Sequence, residues 1–103
     1  MFGSTIKLSV YRNRLRLTDE KTGTVVERQA VYPFSTDTML IANRETLEQE
    51  FGELVRQIPR SRLFHYPAVE VVATEAKLHP VEREALQRAI ADAGASKVIL
   101  PND

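Results

Sequence analysis

The sequence predicts an α/β (α+β) domain: a three-stranded antiparallel meander, then helix, strand, helix and strand, forming a mixed five-stranded sheet with two helices on one face. Three observations predict it. Apolar and polar residues alternate with period 2 across positions 6–17. Two later segments, 47–58 and 81–93, carry apolar stripes at helical spacing. Finally, the run 69–73 is rich in β-branched residues, and a helix joins it to a second apolar run at 96–100, as in a parallel βαβ unit.

Taken in order, Ile6, Leu8 and Val10 alternate with Lys7, Ser9 and Tyr11 in a first strand with one buried face. Arg12-Asn13 makes a tight turn, since Asn tolerates the positive φ such turns need. Leu15 and Leu17 alternate with Arg14, Arg16 and Thr18 in the second strand. Residues 19–23 form a polar loop with Gly23 near its end, and 24–28 a third strand. Tyr32-Pro33-Phe34 is extended, because a residue before proline avoids the helical region. A short strand or edge segment is expected at 38–41. Asn43 caps a helix whose apolar face is Leu47, Phe51, Leu54, Val55 and Ile58; Gly52 weakens it and Pro59 stops it.

The βαβ unit organises the remainder. Pro80 suits the first helical position, and Glu82 and Glu84 complement the dipole of the first turn. Val81, Ala85, Leu86, Ala89, Ile90 and Ala93 spell the apolar face, and Gly94 supplies a left-handed C-cap. Pro101 ends the last strand.

Composition narrows function without naming it. A chain of 103 residues is expected to be one domain, spanning 1–103, with a single core. Fourteen basic and fourteen acidic residues give zero formal charge, so no overall electrostatic drive towards nucleic acid or anionic membrane exists. Without cysteine there are no disulfides and no thiolate metal sites, which fits a reducing compartment. No apolar run approaches the roughly 20 residues of a membrane span, and no signal-peptide core opens the chain. The expectation is a cytoplasmic protein.

The passage from Pro80-Val81-Glu82-Arg83 through Ala93-Gly94-Ala95-Ser96-Lys97-Val98 resembles a "V-E-R-R-A-…-A-G-A-R-E-V" helix-to-strand passage. That passage, with the element order, resembles the first subdomain of actin-like ATPases, nearest the bacterial MreB type. Gly3-Ser4-Thr5, leading into the first strand, is similar to that family's first phosphate loop. The resemblance implies a ribonuclease-H-like half-fold. It also implies a non-catalytic protein-interaction module, binding a protein partner or self-associating, in rod-shape, cell-shape or filament machinery. Departures from the family pattern remove the chemistry. Met1 or Phe2 stands where the metal-positioning acid is expected, and the insertion forming the second subdomain is absent between Ala30 and Thr38. Neither a second phosphate loop nor an adenine-binding half is expected within the residues up to Asp103. Phosphoryl transfer needs charge neutralisation from both sides of the nucleotide. The resemblance therefore implies a stripped-down subdomain that is not an enzyme and holds no cofactor, the segment Gly3, Ser4, Thr5 being a degenerate phosphate loop.

Other candidate chemistry has ordinary explanations. The pairs Glu82/Glu84, Glu45/Glu48 and Asp19/Glu20 lie in first helical turns or a polar loop, where dipole complementarity or solvation accounts for them. His65 and His79 lack a third ligand at metal spacing, and no serine sits in a nucleophile elbow. Two surfaces stand out. Arg12, Arg14 and Arg16, with Arg60 and Arg62 beside Phe64, His65 and Tyr66, form a basic binding face that supports the alternative of a small nucleic-acid-binding domain. The structural reading of the same arginines is a solvated strand that resists aggregation. The third strand, expected at a sheet edge, offers Val25, Val26, Glu27 and Arg28 for self-association into a homodimer. Val25 and Val26 put apolar groups on both faces, and Glu27 and Arg28 are complementary charges that antiparallel pairing could match. Tyr32-Pro33-Phe34 folding over that edge is the competing, monomeric outcome.

Overall fold

A computed structural model describes residues 5–58 and 68–101. In chain order the elements are β1 (Thr5–Tyr11), β2 (Arg14–Asp19), β3 (Thr24–Gln29), α1 (Arg44–Val55), β4 (Ala68–Thr74), α2 (Pro80–Asp92) and β5 (Lys97–Ile99). They form one five-stranded sheet in the order β3-β2-β1-β4-β5. β1–β2 and β2–β3 pair antiparallel, whereas β1–β4 and β4–β5 pair parallel. The predicted α+β architecture, a meander followed by helix, strand, helix and strand, is the one observed.

Period-2 patterning sorts the two faces. Ile6, Leu8, Val10, Leu15 and Leu17 are buried on the helix side with Val69 and Val71. Leu47, Phe51 and Leu54 of α1 and Leu86, Ala89 and Ile90 of α2 complete that core. Burying such side chains contributes roughly 1.5–3 kcal/mol each, so this interior carries most of the folding free energy. The turn between β1 and β2 is Arg12-Asn13, and Asn13 has φ 56°, in the left-handed region that Asn tolerates better than most residues. Gly23, with φ 76°, serves the next turn, and Gly94, with φ 117°, follows the α2 C-cap.

Four expectations need correction. No strand forms at 38–41. Thr36 N–H instead donates to the Met39 carbonyl, while Leu40 and Ile41 turn their side chains into the core. The backbone donors there go to side chains and a local turn rather than a ladder. α1 stops at Val55, because residues 57 and 58 tighten into i→i+3 bonds to Leu54 and Val55. Ile58 is buried all the same. In α2 the inward stripe begins at Glu82, not Val81, which is 63% exposed. Asp19, expected in a loop, is the last residue of β2 and is fully buried.

Candidate functional site

Both helices cover one side of the sheet, and the opposite side carries the candidate surface. The strand registers place its residues in rows. Ile99, Glu70, Lys7, Thr18 and Val25 lie side by side across all five strands. A second row runs Ala73, Ser9, Arg16 and Glu27, and a third Tyr11, Arg14 and Gln29. A register shift between Leu8 and Ser9 brings Ala73 opposite Ser9 and leaves the neighbouring Val72 exposed. Val25 (55% exposed), Val72 (45%) and Ile99 (38%) leave apolar groups towards both edges of this face.

The centre of the face is polar and internally paired. The Arg16 guanidinium donates from Nε to Glu27 Oε2, and Arg14 Nη1 lies 3.4 Å from Glu27 Oε1. The Arg14 guanidinium carbon stacks 4.2 Å from the Tyr11 ring centroid, and that of Arg16 lies 5.6 Å away. Lys7 Nζ pairs with Glu20 at 3.2 Å. The hydrogen bond from Arg16 holds the Glu27 carboxyl below its ordinary pKa, and the same bond raises that of Arg16. These guanidiniums already share a carboxylate and an aromatic ring. Their free electrostatic reach towards a phosphate chain is correspondingly reduced.

The structure brings some predicted residues together and separates others. Gly3, Ser4, Arg60 and Arg62 lie outside the described residues, and Thr5 is the exposed first residue of β1. Arg14 and Arg16 share the open face as expected. Arg12 does not join them. It sits in the hairpin turn, donating from its backbone N–H to Glu75 (2.7 Å) and from Nε to the Thr36 carbonyl (3.0 Å). β3 is the sheet edge, with Val25 exposed and Val26 packed partly against the core. Glu27 and Arg28, expected as complementary charges across an antiparallel pairing, each have a partner within the chain. Glu27 is held by Arg14 and Arg16 on the open side, and Arg28 donates to the buried Glu50 on the helix side. Alternation along a strand sends adjacent charges to opposite faces, where each finds a partner in its own chain.

Buried and half-buried polar groups that the sequence reading missed fix the long connection between β3 and α1. Asn13 Oδ1 accepts from the N–H groups of Phe34 (2.9 Å) and Ser35 (2.8 Å), and its own N–H donates to Ser35 Oγ (3.1 Å). Ser35 Oγ in turn donates to the Leu40 carbonyl. Phe34 is thereby drawn into the core at the β1–β2 turn. Glu50 accepts from Arg28 and from Tyr32 N–H (3.3 Å). Glu82 accepts from Ile41 N–H (3.0 Å) and His79 N–H (3.2 Å), closing the start of α2 onto the loop. One signal was available for each carboxylate. Glu50 falls among the inward positions Leu47, Phe51 and Leu54, and Glu82 stands three residues after the helix cap, the capping-box spacing.

This strand order, with parallel crossovers beside an antiparallel meander and two helices on one face, is consistent with the fold of an actin-like, ribonuclease-H-like subdomain. The fold is similar to that of MreB5 of Spiroplasma citri, solved bound to ADP, with a TM-score of 0.65 and 15% sequence identity. The similarity covers 97% of this chain and 38% of MreB5, so the chain matches an actin-like fragment of that protein. No protein-family model and no curated protein sequence matches the chain.

Proposed function

We propose that this chain is a non-catalytic protein-interaction module, related to the first subdomain of MreB-type proteins and serving cell-shape or filament machinery through its open sheet face. The observation that carries this reading is the arrangement of the sheet. Two helices bury one side, while the other leaves Val25, Val72 and Ile99 in solvent around an internally paired polar centre. Such a face suits a protein surface with apolar contacts and a polar middle. The likeness in fold to MreB5 supports the choice of partner class. The non-catalytic part rests on how the carboxylates are used: Glu50 and Glu82 are buried and occupied by Arg28, Tyr32, Ile41 and His79. Neither is presented to a solvent-filled site.

Co-sedimentation with polymerised MreB-type protein tests the reading. The chain is expected in the pellet, and the double variant Val72→Asp/Ile99→Asp is expected to stay in the supernatant while keeping its circular dichroism spectrum. A wild-type chain that remains in the supernatant would sink the filament assignment. The pairing of Arg14 and Arg16 with Glu27 weighs against the nucleic-acid alternative. A gel shift with single-stranded oligonucleotide that weakens with salt and vanishes in Arg14→Glu/Arg16→Glu would restore it.

A further inference from the structure

We infer that the outer edge of β3 pairs antiparallel with β3 of a second copy of this chain, with Val26 on the two-fold axis; this rests on the protein-interaction reading and names one partner for it. The two sheet edges differ in their protection. β5 has three residues and is closely followed by Pro101, which suits an edge that resists pairing. β3 has six residues, no proline, and an unbroken six-pair register with β2, so no bulge twists its edge away. Among the described residues, the segment after β3 does not pair with its edge: Tyr32 N–H donates to Glu50 on the helix side, and Phe34 and Ser35 bond to Asn13 at the hairpin end.

The phase of the ladder identifies which groups are free to pair. Ala30 N–H donates to the Asn13 carbonyl at 2.9 Å, continuing the β2–β3 register. In an antiparallel ladder hydrogen-bonded and non-bonded pairs alternate, so Thr24, Val26 and Arg28 direct their backbone groups towards β2. Those of Val25, Glu27 and Gln29 therefore point outward. Residues facing each other across antiparallel strands share a face, so a two-fold axis normal to the sheet leaves two centred registers, one on Val26 and one on Glu27. Centring on Glu27 sets two carboxylates directly opposite, which is unfavourable. Centring on Val26 sets valine against valine on the helix side at close, non-bonded spacing. On the open side it sets Val25 against Glu27 of the second copy, whose backbone groups are both outward and can bond. The result is a continuous ten-stranded sheet, by doubling the five strands of one copy. Its open face joins Val25 of each copy to the polar centre of the other.

Three measurements on the full chain decide the matter. Light scattering at tens of micromolar is expected to give twice the 11.7 kDa chain mass. Val25→Pro removes an outward N–H while sparing the β2 ladder, and should raise the dimer dissociation constant about tenfold or more with the fold intact by circular dichroism. The chain has no cysteine. Single Val26→Cys should therefore form a disulfide-linked dimer on mild oxidation, since facing non-bonded positions lie about 4.5 Å apart at Cα. Glu27→Cys should not. A monomer mass at that concentration overturns the proposal, as does a dimer insensitive to Val25→Pro or a crosslink in Glu27→Cys in place of Val26→Cys. Binding to filaments by a chain that stays monomeric would leave the proposed function standing and remove only this inference.

Discussion

At the scale of single residues, Asn13 does more than turn a hairpin. Its φ of 56° is within reach of Asn, and its Oδ1 binds the two N–H groups that fold residues 34–35 inward. Asn13→Gly keeps the backbone conformation but loses the acceptor, leaving two partly buried donors without a partner. It is expected to cost about 2–4 kcal/mol in urea unfolding, and Asn13→Asp much less, because a carboxylate still accepts both bonds. The positive φ was legible from a two-residue Arg-Asn turn. The acceptor role was not, because its partners lie more than twenty residues away and leave no local pattern. Glu27 makes a different prediction. Arg16 lowers its pKa, so any stability it contributes is present above the ordinary carboxylate range and is lost as pH falls through the lowered folded value. Melting curves of Glu27→Gln against wild type should therefore differ near neutrality and converge in acid. The pair is solvent-exposed, so the difference should shrink in high salt. A gap that grows with acid would contradict the assignment.

At the scale of elements, the strands and helices were legible because their faces repeat. Ile6 to Leu17 alternates with the pleat, and Leu47 to Leu54 returns every three or four residues. The connection from residue 30 to 43 was not, because it is held by Asn13, Ser35 and Glu82 across the fold rather than by a period of its own. Val81 was misassigned for the same reason: the helix turns Glu82 inward to meet Ile41 N–H, rotating Val81 out. Glu82→Ala should cost about 2–4 kcal/mol, since it strands the Ile41 and His79 donors, whereas Glu82→Gln retains a carbonyl acceptor and should cost less. In α1, an added Cβ at Gly52 would meet nothing within 4 Å. Gly52→Ala should therefore raise stability by about 0.5–1 kcal/mol through reduced backbone entropy in the unfolded chain. Thermal melts of both series give the answer, and a destabilising Gly52→Ala would mean that α1 is packed differently.

At the scale of the whole molecule, one sheet serves two environments. Its helix side holds a continuous apolar core from β2 to α2, and its open side is paired and polar at the centre with valine and isoleucine near the edges. The predicted α+β order and the edge position of β3 were readable from sequence. The partial neutralisation of the arginine face was not, because Glu27 lies eleven to thirteen residues from the two arginines that share it and meets them only through strand register. The proposal is that a chain with this fold acts through its surfaces and not through nucleotide chemistry. Thermal unfolding of the chain in millimolar ATP and magnesium, with phosphate release followed in the same sample, tests it most directly. An unchanged melting temperature and no release above the buffer rate are expected. A stabilisation that saturates with ATP, or release proportional to protein concentration, would contradict it.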